Sequence, residues 1–281
     1  MEPTNRYSLS AVCRRLRGAA FLANVTVLTA LMIGGCAGTK VEVDSELPVA
    51  QSRAKRDLGI DYLASGRTAM AIRELSISLE MDPSDPQTHL WIGEAYRRKG
   101  QTARSESFLI EAIELADALK DSNTAHAARL NLSALLSQMG RYEDSLPHCE
   151  ALANDPTFST PWRPLSNCGW ALMKLGRLEE ARTHFETSLE YFPRFGPALM
   201  NLSILEAKHG HRLKAIRLLE KALESGRLTA SGHAEANYRL GELYVALGRR
   251  DAAVDYFKTS ARIAPDADWG SQSQAYLDLL R

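Results

Sequence analysis

The chain has 281 residues, 45% of them hydrophobic and 24% charged, and its 34 basic and 34 acidic side chains balance. Such a composition supports a sizeable core and excludes a disordered chain. The balanced charge gives no reason to expect nucleic acid as a partner.

The opening segment departs from the rest. Arg14, Arg15 and Arg17 are followed by no charged residue until Lys40, and residues 19–33 are mostly apolar. That is the order of an export signal, a positive region before an apolar one. The apolar stretch closes on Leu31-Met32-Ile33-Gly34-Gly35-Cys36-Ala37-Gly38. An aliphatic residue, small residues and then cysteine resemble a bacterial lipoprotein signal. The resemblance implies cleavage before Cys36, a thioether from its sulfur to diacylglycerol, and acylation of the new amine. The alternative is an uncleaved helix anchor, which needs about 20 apolar residues to span a bilayer. Asn24, Thr26, Thr29 and the paired glycines weigh against it. Two or more acyl chains anchor firmly where one does not, since each buried methylene contributes about 0.8 kcal/mol. Ala37 stands where many inner-membrane lipoproteins carry aspartate, so the same resemblance implies the outer membrane, facing the periplasm. Loss of residues 1–35 leaves 30 basic and 33 acidic residues, a net charge of −3. Residues 36–51, with Gly, Thr, Asp, Ser and Pro and little periodicity, read as the lipidated N-terminus and a tether.

Beyond the tether the glycines set a period. Gly66, Gly100, Gly140, Gly176, Gly210 and Gly248 each close an apolar-periodic helix, with spacings of 34, 40, 36, 34 and 38 residues. Thirty-four is the length of the tetratricopeptide repeat, and the longer spacings place insertions near Lys120-Asp121, Pro156-Thr157 and Leu228-Gly232. The repeat pattern of Leu-Gly-x-x-Tyr, Ala-x-x-x-Phe and Pro is fullest in Leu240, Gly241, Tyr244, Ala253, Phe257 and Pro265. The third and fifth copies keep less, with Ser133 and Ser203 at the place of the first glycine. These residues predict an all-α protein: a right-handed α-solenoid of about six tetratricopeptide repeats over residues 52–268, held by nearest-neighbour interfaces. Residues 269–281, with Tyr276, Leu277 and Leu280 at helical spacing, read as a capping helix.

Nothing in the pattern points to catalysis or a cofactor. No Gly-rich phosphate loop follows a strand and no nucleophile elbow is present. The seven histidines are scattered, and His209 and His211 beside Gly210 read as turn residues rather than metal ligands. Cys149 falls where the repeat usually has Phe and Cys168 where it usually has Leu, on adjacent helices of the third and fourth repeats. Both therefore point into one layer, either as a disulfide in an oxidising compartment or as two buried thiols.

The inner wall of such a stack is lined by the first helix of each repeat. Register places Trp170, Met173, Met200, Ile204, Tyr238 and Val245 there, more apolar than a solvated face should be, and suited to a protein segment laid in a groove. Residues on the same wall in the third and fourth repeats include Leu130, Ala134 and Arg163.

One stretch is more specific than the repeat pattern. Asp155-Pro156-Thr157-Phe158-Ser159-Thr160-Pro161, followed by Asn167-Cys168-Gly169-Trp170, resembles a segment of the type IV pilus pilotin lipoproteins. With the lipid-modified cysteine, the short tether and six repeats, the resemblance covers nearly the whole chain. It implies an outer-membrane lipoprotein whose partner is the secretin, the ring through which the pilus passes, and which promotes its assembly. The rival expectation is a general periplasmic-side scaffold that organises cell-envelope enzymes or outer-membrane assembly machinery.

Overall fold

The computed structural model describes residues 46–279, and all regular structure among them is helical. Thirteen helices follow in chain order among the described residues. Six hairpins come first: α1 (Glu46–Ala64) with α2 (Thr68–Met81), α3 (Pro86–Arg98) with α4 (Thr102–Leu119), α5 (Ser122–Gln138) with α6 (Tyr142–Ala153). Then come α7 (Trp162–Lys174) with α8 (Leu178–Tyr191), α9 (Gly196–Lys208) with α10 (Arg212–Glu224), and α11 (Ala230–Ala246) with α12 (Arg250–Ile263). The last helix, α13 (Asp268–Leu279), packs on both α11 and α12.

Each hairpin is closed by the glycine that sets the period. Gly66 and Gly140 adopt φ of +76° and +78°, a conformation in which a side chain would be strained. At the first of these turns the Gly66 N–H donates to Leu63 O at 3.1 Å and the Arg67 N–H to Tyr62 O at 2.8 Å. These two bonds satisfy carbonyls that the helix end leaves free. First helices begin on side-chain caps where the sequence supplies one. Asp85 accepts from the Gln87 N–H, Asp121 from the Thr124 N–H and Thr229 from the Gly232 N–H.

The insertions take different forms. The long spacing from Gly100 to Gly140 is absorbed in α4 and α5, which run to 18 and 17 residues where α2 and α3 have 14 and 13. The extra residues before Gly176 form the loop 154–161. Those before Gly248 form the loop 225–229 and lengthen α11 to 17 residues.

Within a hairpin the helices cross where the first glycine stands. A Cβ on Gly59 would lie 2.6 Å from Leu75, and one on Gly241 2.6 Å from the fully buried ring of Phe257. Ser133 and Ser203, which replace that glycine, fold their hydroxyls back onto Leu130 O and Met200 O of their own helices. The residues at the facing place are then Cys149 and Leu219, both smaller than Phe.

Two boundaries differ from the sequence reading. Helix α1 begins at Glu46, inside the expected tether, because Pro48 falls in the first turn, where a helix has no use for its N–H. Ser52 Oγ, 3.0 Å from Ser78 O, ties that helix to α2. The capping helix begins one residue early, at Asp268. Neighbouring first helices approach closely at every junction except that between α9 and α11, where α10 supplies most of the backbone contact and Leu199 and Met200 of α9 share a core cluster with Ala236 and Leu240 of α11. No helix among the described residues is long and apolar enough to cross a membrane, and Cys36 lies outside those residues.

Candidate partner groove

The wall has a finer register than the sequence suggested. In each first helix the place three residues before the repeat glycine turns toward neighbouring repeats, and Leu90, Leu130, Ser166, Met200 and Tyr238 are all buried there. The wall itself is built from places two before and one after that glycine. In the fourth repeat these are Asn167 and Trp170, both half-buried.

The six expected groove residues therefore divide. Trp170 and Met200 line a cavity of about 410 Å³ between α7, α9 and the loop before α11. Lys174 Nζ covers the Trp170 ring, 4.6 Å from its centroid. Ile204 lines a second cavity, of about 360 Å³, in the gap between α9 and α11, with Ala207, Leu243 and Ala246 beside it and Leu219 of α10 beneath. Met173 is instead inside, in the cluster that contains Cys149 and Cys168. Tyr238 is only 7% exposed and serves the cap, with its ring 5.3 Å from Trp269 and 5.9 Å from Tyr276. Its hydroxyl donates to Glu242 Oε1 at 3.0 Å, and burial, then the Glu242 carboxylate, push its ionisation well above the usual range. Val245 is exposed and lines neither cavity.

Two smaller cavities continue the groove toward the third repeat, about 300 Å³ and about 230 Å³. Asn131 and Ala134 of α5, Asn167 of α7 and Pro197 of α9 border them. The result is a run of concavities along the first helices of repeats three to six.

Cys149 and Cys168 are joined as a disulfide, with Cα atoms 5.7 Å apart and no exposure at either residue. The bond links α6 to α7 and thus the third repeat to the fourth. The loop between them, residues 154–161, is held from inside and below. Asp155 accepts from the Thr157 N–H and hydroxyl at 2.8 and 2.7 Å, and its Oδ2 lies 2.8 Å from His126 Nε2 on α5. Those bonds, the Thr157 hydroxyl first, keep its carboxyl below the usual range. Phe158 meets the His126 ring edge-on at 5.2 Å.

The sequence reading missed one charged cluster. Glu206 of α9 is fully buried and meets Arg182 of α8, Lys214 Nζ at 2.8 Å and His211 Nδ1 at 2.7 Å. Burial pushes its carboxyl up, but hydrogen bonds from Lys214, His211 and Arg182 outweigh that and hold it down at about 2. An acidic residue at an apolar-periodic place was the only signal available. No group of three or more His, Cys, Asp or Glu among the described residues could hold a metal ion.

Comparison with known proteins agrees with this geometry. The family described as tetratricopeptide repeat matches residues 56–118 and 200–268, and a second tetratricopeptide repeat description matches residues 162–195, together more than half of the chain. Among curated proteins, the type IV pilus assembly protein PilF of Pseudomonas aeruginosa is 24% identical over 132 residues, covering 47% of this chain and 50% of PilF. The tetratricopeptide repeat-containing protein trd-1 of Caenorhabditis elegans is 27% identical over 147 residues, covering 52% of this chain and 17% of that protein. The chain thus spans half or less of the length of these curated relatives. Among solved structures, that of Pseudomonas aeruginosa PilF superposes with a TM-score of 0.63 at 20% identity, over 82% of this chain and 99% of that one. The type IV pilus biogenesis factor PilW gives 0.66 at 20% identity, over 79% and 97%. The Cut9–Hcn1 hetero-tetramer of the APC/C gives 0.66 at 17% identity, over 82% and 42%. These likenesses are of fold. The chain belongs to the tetratricopeptide repeat family, with PilF and PilW among the proteins it resembles.

Proposed function

We propose that the chain is an outer-membrane lipoprotein, anchored through Cys36, that binds the secretin in its repeat groove and promotes secretin assembly for type IV pilus biogenesis. The observation that carries the reading is the run of partly apolar concavities along α5, α7, α9 and α11, the kind of surface on which a protein segment can be held. The pilus assignment is supported by the sequence similarity to PilF and by the Asp155–Pro161 segment, and the membrane assignment by the residues around Cys36. A general envelope scaffold is the second reading, because the repeat fold, shared equally with Cut9–Hcn1, does not by itself specify a pilus partner.

Affinity purification of the full chain from detergent-solubilised membranes, followed by mass spectrometry, separates the two. Enrichment of a secretin supports the pilus reading. Enrichment of murein hydrolases or outer-membrane insertion components without a secretin replaces it by the scaffold.

A further inference from the structure

A basic recess lies at the edge of the stack where the hairpin turns lie. It has a volume of about 570 Å³ and is bordered by the turn from α9 into α10, the start of α10 and Leu247, just past α11. Arg182 of α8, His211, Arg212, Lys214 and Arg217 surround it, and Glu206 is the only acid among its lining residues. Four permanent cations against one carboxylate leave an excess of three, 4 − 1. From Ala207 to Leu219 the sequence has four Lys or Arg residues, two histidines and no acid, in a chain whose charges balance as a whole.

The one acid organises the recess without closing it. Glu206 is fully buried and both its oxygens are taken, Oε1 by Arg182 and Lys214 and Oε2 by His211 Nδ1. A carboxylate only accepts, so Nδ1 carries the proton and the ring keeps Nε2 for another partner, while Arg182 and Lys214 each keep further N–H groups. Arg212 and Arg217 are exposed, and their guanidiniums have no hydrogen bond or ion pair among the described residues. Arg141 and Arg177, which follow other turn glycines, are by contrast paired with Asp144 and Glu180.

Guanidinium groups meet phosphate through two parallel N–H bonds, so the recess suits a phosphate-bearing anion. Leu213 shows that the occupant has an apolar side as well. It stands between Arg212 and Lys214, one turn before Arg217, is 62% exposed, and borders the recess together with Leu247. A bilayer surface offers both halves, phosphates at the level of the cations and an apolar layer beneath them. An acidic polypeptide offers the charge without the layer.

We infer that this corner of the fifth hairpin is a site for the phosphate headgroups of anionic phospholipids, with Leu213 entering the apolar layer beside them. The folded stack then meets the membrane at a place of its own, far along the sequence from Cys36. No secretin is needed for this; of the proposed function it uses only the reading that the chain works at a membrane.

For the test, the full chain with Leu213→Cys is labelled there with an environment-sensitive fluorophore and reconstituted into vesicles of phosphatidylcholine, with or without about one-fifth phosphatidylglycerol. Cys149 and Cys168 are bonded to each other, and a chain without the Leu213 change, treated alike, gives the background. The label should brighten and shift to the blue only where phosphatidylglycerol is present. On Leu119→Cys, equally exposed at the last residue of α4, it should not. The double change Arg212→Gln, Arg217→Gln should lower the equilibrium constant for contact at least tenfold, about 1.4 kcal/mol, and leave the melting temperature unchanged, since neither guanidinium has a partner to lose. The inference is overturned by an equal response in phosphatidylcholine alone, by an equal response at residue 119, or by a response that survives the double change. It also falls if inorganic phosphate acts as strongly as the lipid, which marks a soluble-anion site, or if polyglutamate acts and phosphatidylglycerol does not, which gives the corner to an acidic protein. Intact mass of the same samples separates the two membrane contacts. A lipidated chain with no response at residue 213 sinks the corner and leaves the anchor standing, and an unmodified N-terminus with the expected response does the reverse.

Discussion

Gly169 faces Phe185 so closely that a Cβ on the glycine would sit 2.6 Å from the ring. The ring is fully buried and cannot retreat without moving its neighbours. Overpacking of this kind costs about 1–3 kcal/mol. Gly169→Ala should therefore lower the melting temperature by several degrees in a circular dichroism scan, whereas Ser133→Gly, opposite the smaller Cys149, should change it far less. A Gly169→Ala protein that melts as wild type does would show that the crossing has room.

The bond between Cys149 and Cys168 closes a loop across 19 positions of sequence. Chain-entropy reasoning gives about 3 kcal/mol of stabilisation for a loop of that size. Non-reducing peptide mapping of protein from an oxidising compartment should find the two cysteines in one linked peptide, and the double change to Ala should lower stability toward urea by roughly that amount. Two alkylatable thiols in the folded protein would reject the bond.

Glu206 gives a pH dependence whose sign is fixed. Its folded value, about 2, is below the ordinary 4.5, so its stabilising contribution is complete above about pH 5 and lost as pH falls through 4.5 toward 2. Glu206→Gln removes a charge that meets the cations of Arg182 and Lys214 and a hydrogen bond with His211, and should cost about 2 kcal/mol at neutral pH. The gap in melting temperature between wild type and variant should close as the pH is lowered over that interval. A gap that persists at pH 2 would mean that packing, not charge, is what the substitution disturbs.

Tyr238 and Trp170 should part company. Tyr238 packs at an angle against Phe257 and Trp269 and edge-on against Tyr276, so Tyr238→Ala should cost about 3–5 kcal/mol through cavity formation and loosen the cap. Trp170 is half-buried on the wall, so Trp170→Ala should melt near wild type and lose at least tenfold in secretin capture, about 1.4 kcal/mol. Melting scans and capture assays on both proteins decide it. A Trp170→Ala protein that binds normally would move the docking surface away from this wall.

Cys36→Ala should leave precursor or mislocalised protein while the repeat stack folds normally, because the residue precedes the stack. Intact mass of the wild-type membrane form should show loss of residues 1–35 and a gain of diacylglycerol. An unmodified Met1 terminus in the membrane fraction would refute the anchor.

Steric places were legible in the sequence because they admit few residue types. The glycines at 66 and 140 need left-handed backbone and those at 59 and 241 meet a facing side chain, so the period could be read from them alone. The wall was only half legible. Met173 and Tyr238 stand on first helices like Trp170, but whether a place faces the groove or a neighbour depends on how successive helices cross, and for Tyr238 on where α13 settles. The Glu206 cluster joins α9 to Arg182 of α8, His211 of the turn and Lys214 of α10, and no spacing along α9 announces partners on its two neighbours. The start of α1 was hidden because its first turn contains proline.

The separation of α9 from α11 bears on how the molecule yields under load. Every other junction is braced twice, by the second helix of the preceding hairpin and by its first, while the sixth hairpin and its cap are braced mainly through α10. A spring with one weaker coil bends there first. Tension or a wedge at the Ile204 cavity would strain this junction first, and the resistance it met would come from the one core cluster that α9, α10 and α11 share.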